Sequence, residues 1–188
     1  MTNETPPFIA TPTPKPNYGP SPKPIEPSAN PVPVGTRIGH VHLKVADRER
    51  SLAFYHGVLG FEVMARMGTR AAFLAVGGYH HQIALNTWSS AGGQPPAPGT
   101  TGLFHTAILY PERRDLAEAL QRLMRASWQL DGTSDHGVSE ALYLRDPDEN
   151  GVELYWDKPQ TAWPLDDDGH LQMTNTPLAV DELLSELA

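Results

Sequence analysis

The order strand, helix, strand, strand, strand occurs twice along this chain, in two stretches of about 50 residues each, a period that signals internal duplication. In the first stretch R-I-G-H-V-H-L-K-V (37–45) alternates apolar and polar residues as a half-buried strand does. Leu52, Phe54, Tyr55, Val58 and Leu59 then recur at helical spacing, with Gly60 as a stop. Three strand-like runs follow, F-E-V-M-A-R, R-A-A-F-L-A-V and H-H-Q-I-A-L-N, with glycines between them. After the linker W-S-S-A-G-G-Q-P-P-A-P-G-T-T-G the order restarts with G-L-F-H-T-A-I-L-Y and the amphipathic R-R-D-L-A-E-A-L-Q-R-L-M-R-A. W-Q-L-D-G-T-S, S-E-A-L-Y-L-R and G-V-E-L-Y-W complete the second set. The expected fold class is α+β, with two βαβββ modules (36–87 and 102–157) that curl their sheets around a shared cavity.

The flanking segments differ in kind. Residues 1–35 carry a proline every few positions, and proline lacks the N–H that a helix interior or a central strand needs. An extended arm is expected there, which leaves about 150 residues to bury a core. Residues 159–188 read as a polar, acidic tail ending in a short helix over L-A-V-D-E-L-L-S-E-L. The net charge of −8, with dispersed basic residues, argues against nucleic acid as a partner. No apolar run approaches the roughly 20 residues that span a bilayer, and the start lacks a signal-peptide pattern. Cysteine is absent, so any metal must be held by histidine, carboxylate or water. A soluble, cytoplasmic protein is expected, and a homo-oligomer whose arm wraps a neighbour.

Strand alternation sorts the chemistry-bearing residues onto faces. Val41, Leu43 and Val45 suit packing under the helix, which turns His40 and His42 to the opposite, cavity side. His105, Ala107 and Leu109 share one face of the matching strand, and Glu153 and Tyr155 oppose Val152, Leu154 and Trp156. His42, His56, His80 and His170 are read as hydrogen-bonded core or surface residues. His40 and His105 stand apart because they hold equivalent positions in the duplicated unit. A carboxylate among apolar neighbours is costly to bury unpaired, and a divalent cation removes that cost at Glu153. Two imidazoles and one carboxylate leave coordination positions open, as in non-haem Fe(II) sites that handle oxygen.

The duplicated plan, with G-H-V-H-L-K-V-A-D-R-E-R-S-L-A-F-Y as its first unit, resembles the vicinal oxygen chelate superfamily, that is, the glyoxalase/bleomycin resistance/dihydroxybiphenyl dioxygenase fold. Within it, D-H-G-V-S-E-A-L-Y-L-R-D-P-D-E-N-G-V-E-L-Y-W (135–156) is similar to the signature of type I extradiol ring-cleaving dioxygenases. His136, Leu142, Tyr143, Asp146, Pro147 and Glu153 fall into its register. Two positions depart from it: Glu149 stands where glycine or proline is usual, and Ser134 replaces other types two residues before the histidine. Asn150-Gly151 is expected to make the turn instead. H-Q-I-A-L-N, from His81, is similar to the strand that carries the family's acid–base histidine, with His80 as the competing assignment. The size resembles the small, single-domain branch, which includes short biphenyl-2,3-diol 1,2-dioxygenases.

The resemblance implies an Fe(II) cofactor, with Mn(II) the minor alternative, held by His40, His105 and Glu153. It implies His81 as general base and then acid, Tyr143 as a hydrogen-bond partner of the substrate oxygen, and His136 as an orienting group. The implied partners are a small aromatic diol, such as catechol or 2,3-dihydroxybiphenyl, and O2. Three alternatives share the scaffold. A glyoxalase-type isomerase normally adds a second carboxylate from the first half, where this chain offers His81. A fosfomycin-type transferase wants cationic cavity residues, and Lys44 is the one obvious candidate. A metal-free protein that sequesters an aromatic drug would not need the three ligands together.

Overall fold

The computed structural model describes residues 29–188. The first module runs β1 (Val41–Lys44), α1 (Arg48–Leu52), β2 (Glu62–Met67), β3 (Ala71–Ala75) and β4 (Ile83–Asn86). The second runs β5 (Thr106–Leu109), α2 (Arg113–Arg125), β6 (Leu130–Asp135), β7 (Ser139–Arg145) and β8 (Gly151–Asp157). Each module forms one sheet, ordered β1-β4-β3-β2 and β5-β8-β7-β6, in which the first and last strands pair in parallel and the others antiparallel. Even the irregularities repeat, since a bulge at Val63/Ala65 on β2 matches one at Leu130/Gly132 on β6. The expected pair of βαβββ modules is therefore the fold. The expected arm lies mostly in residues 1–28, outside the described residues; Pro31 to Gly35 run exposed into β1.

Helix α1 opens on Asp47, whose carboxylate accepts from the amides of Glu49 and Arg50. It is shorter than the apolar spacing predicts and widens into a π-helical turn over Ala53–Val58. That turn carries two consecutive buried aromatics in different directions: Phe54 stacks on Trp128 at 4.6 Å, and the Tyr55 hydroxyl donates to Asp146 at 2.9 Å. Helix α2 follows its sequence pattern, with a Glu112–Asp115 capping box and Leu116, Leu120 and Leu123 buried on one stripe. One apolar core runs through both modules, from Leu43, Phe54 and Leu85 to Leu120, Leu142 and Leu154. The tail returns to it through α3 (Val180–Ser185), whose Leu183 is fully buried and whose end is clamped by Arg113 to Glu186 at 2.8 Å. Among the described residues no helix is long and apolar enough to cross a membrane.

The β7–β8 turn locks the modules together. Asp146 Oδ1 accepts from the amides of Asp148 and Asn150, and its Oδ2 accepts from the Tyr55 hydroxyl. Asp148 Oδ1 accepts from the Ala46 amide at 3.0 Å and from Arg50 at 2.6 Å, while Oδ2 accepts from the Ser51 hydroxyl at 3.2 Å. Asn150-Gly151 does not make this turn as expected. Glu149 takes the left-handed conformation at φ 64°, and Gly151 already belongs to β8, paired with Arg145. The glycine serves a different need: a Cβ at position 151 would lie 2.1 Å from the Phe104 carbonyl oxygen and 3.1 Å from His105. Only a bare backbone lets β5 start this close to β8.

Asp148→Ala should lower the unfolding free energy by about 1–3 kcal/mol, measured by urea denaturation, because the part-buried Ala46 amide loses its acceptor and the Ser51 hydroxyl keeps only the Asp47 carbonyl. The half-exposed Arg50 adds less than about 1 kcal/mol of that. Glu149→Gly should raise it by about 0.5–1 kcal/mol by removing Cβ strain at positive φ.

Candidate active site

The strand register assembles the first part of the site. Tyr143 on β7 stands directly opposite Glu153 on β8, and His105 immediately precedes β5, the parallel neighbour of β8. The Tyr143 hydroxyl donates to Glu153 Oε1 at 2.8 Å, and His105 Nε2 lies 2.9 Å from Glu153 Oε2. His136 Nε2 meets the Tyr143 hydroxyl at 2.7 Å, and its Nδ1 faces the Thr174 carbonyl at 2.9 Å. Four sequence-predicted residues thus form one continuous array, from the tail to the start of β5. Glu153 is withdrawn from solvent, its side chain 13% exposed, and the buried His105 Nδ1 has no hydrogen-bond partner among the described residues. A cavity of about 510 Å³ lies on this side, bordered by His105, His136 and Tyr143, with Ser134 and Asn175 adding polar groups.

His40 and His81 form a second group on the first module. Their rings lie 4.4 Å apart, and His80 Nδ1 sits 2.7 Å from His81 Nδ1. Both His80 and His81 precede β4 rather than lying in it. Partial burial and then the neighbouring imidazoles of His40, His80 and His42 hold His81 below the ordinary histidine range. The remaining histidines are occupied elsewhere: His42 with Asn86, His56 with the Phe61 carbonyl and His170 with Asp166.

The two groups border one cavity of about 700 Å³ between the modules, lined by His40, Val41, Ile83, Leu103, His105 and Tyr155 among others. His105 also lines the smaller cavity, so its ring is the wall between the two. The donor types suit a divalent ion with mixed imidazole and carboxylate ligation. Their positions meet that need in part: His105 and Glu153 are in contact, whereas among the described residues no three His, Asp or Glu side chains are grouped to hold one ion. Sequence reasoning missed Thr174 and Asn175, which no periodicity or motif marks.

The comparisons agree with this architecture. The Glyoxalase/Bleomycin resistance protein/Dioxygenase superfamily model matches residues 37–154. The chain is 42% identical over 151 residues to a catechol-2,3-dioxygenase of Bacillus subtilis (strain 168), covering 80% of this chain and 52% of that protein. It is 33% identical over 124 residues to biphenyl-2,3-diol 1,2-dioxygenase 3 of Rhodococcus globerulus, covering 66% of this chain and 65% of that protein. The chain thus spans between half and two thirds of the length of these relatives. In fold it is similar to a crystal structure of a glyoxalase/dioxygenase from Nostoc punctiforme, with a TM-score of 0.56 and 19% identity over 70% of this chain and 100% of that one.

NMR titration of the metal-free protein should give His81 a midpoint below the ordinary imidazole value of about 6.5. His80→Gln should move that midpoint upward, because one neighbouring positive charge is removed.

Proposed function

The chain belongs to the glyoxalase/bleomycin resistance protein/dioxygenase superfamily, and from that premise we propose that it is an extradiol dioxygenase that opens a catechol-type ring with Fe(II) as its cofactor. The reading rests on one observation above the others, the array His136–Tyr143–Glu153–His105, which joins candidate metal donors to a phenol and an imidazole through hydrogen bonds. The 42% identity to a catechol-2,3-dioxygenase supports it. His105 and Glu153 would hold the metal, with His40 as the ligand from the first module. When bound, the ion would bring the diol oxygens and O2 to one centre and make the hydroxyls more acidic.

The chain's own groups take the remaining tasks. His81, kept neutral by burial and by its imidazole neighbours, accepts a proton from a diol hydroxyl and returns it later. Tyr143 holds the substrate oxygen by a hydrogen bond, and His136 steadies Tyr143 from behind. Ile83, Ala107 and Tyr155 supply apolar surface for the ring in the cavity between the modules. Both oxygen atoms enter the product as the ring carbon–carbon bond beside the diol breaks, so no further reductant is needed.

The substrate is an uncharged diol. Among the described residues no Lys, Arg, Asp or Glu lines the cavity between the modules. In the smaller cavity Arg145 is already paired with Asp131 at 2.7 Å, which leaves it poorly placed to receive a ring carboxylate.

Protein loaded anaerobically with Fe(II) should turn catechol or 2,3-dihydroxybiphenyl into a yellow ring-opened product once air is admitted. Glu153→Gln should reduce that rate by at least about 100-fold through loss of metal affinity. Absence of product with several catechols at full iron occupancy defeats the proposal.

A further inference from the structure

The tail crosses the site as a strap. The amides of Thr174 and Thr176 donate to the carbonyls of His136 and Asp135 at 2.9 and 3.0 Å, and the Asp135 amide returns a bond to Thr176 at 2.8 Å. Ser134 adds a side-chain bond to Asn175 at 2.5 Å. Gly137 leaves room for the strap, since a Cβ there would come within 2.9 Å of Pro164 and 3.1 Å of Thr174. Buried Leu178 and the docked α3 tie down its far end.

The strap delivers one group to the site, the Thr174 carbonyl against His136 Nδ1. A carbonyl can only accept, so Nδ1 must carry a proton. The other nitrogen faces Tyr143, whose own proton goes to Glu153 Oε1. Filling every bond in that sense needs a proton on both nitrogens of His136. When one leaves, loss from Nδ1 would set a lone pair against a carbonyl oxygen, whereas loss from Nε2 lets the Tyr143 hydroxyl turn and donate to it.

We propose that the Thr174 carbonyl is a positioning group that fixes His136 as its Nδ1–H tautomer, so that His136 exchanges its proton only through Nε2, toward Tyr143. The strap therefore sets the direction in which the array can pass a proton. The consequence for turnover rests on the ring-cleaving function proposed above; the tautomer itself does not.

The test needs no turnover. Metal-free, full-length protein labelled with 15N at histidine is studied by long-range 1H–15N correlation about two units above the ordinary imidazole pKa, and the signal lost in His136→Gln identifies the residue. The wild type should show Nδ1–H. Thr176→Pro removes an amide that anchors the strap and should convert His136 largely to Nε2–H, the commoner form in water. Should that variant not fold, Asn175→Ala frees Ser134 and should lower the Nδ1–H to Nε2–H ratio by about fivefold. An Nε2–H tautomer in the wild type, or an unchanged tautomer in the folded strap variant, overturns the proposal. Either result is independent of whether catechols are cleaved.

Discussion

The geometry of this protein hangs on two buried carboxylates in the β7–β8 turn. Asp146 folds the turn upon itself and holds Tyr55, while Asp148 caps the entry to α1 through Ala46, Arg50 and Ser51. The strands that leave this turn carry Tyr143 and Glu153, and the helix it grips belongs to the module that carries His40 and His81. A displacement of the turn would therefore move one half of the site against the other. Buried carboxylates are stable only when such donors surround them, and here most of the donors come from the opposite module.

Duplication made the two modules alike and the site made them differ. Both keep the strand order and the bulge, yet the approach to β4 bears a pair of histidines, whereas β8 bears a carboxylate paired across the sheet with a tyrosine. In the first set, burial and then the neighbouring imidazoles hold His81 below the ordinary histidine range. The second is built around Glu153, which accepts from the Tyr143 hydroxyl and lies against His105.

Much of this was legible in the sequence because it follows from periodicity. Alternation assigns Leu43, Val45, Val152 and Leu154 to the core, where all four are buried. The spacing from Tyr143 to Glu153 suits a hairpin, and the register makes them direct opposites. What escaped has no period. The π-helical turn depends on where Trp128 and Asp146 wait for Phe54 and Tyr55. The left-handed residue is Glu149 although glycine was available two positions later, because Gly151 is needed for the approach of β5. Thr174 acts through its backbone carbonyl, a group every residue possesses, so no side-chain pattern could announce it.

The placement of His105 as a common partition has a consequence for how this scaffold can change. Its ring closes the compartment between the modules on one side and the compartment under the tail on the other. Enlarging either room by trimming Leu103 or Phe104 would loosen the same imidazole. Room for a bulkier guest and retention of the His105–Glu153 contact are therefore opposed in this molecule, and change along one axis must be compensated along the other.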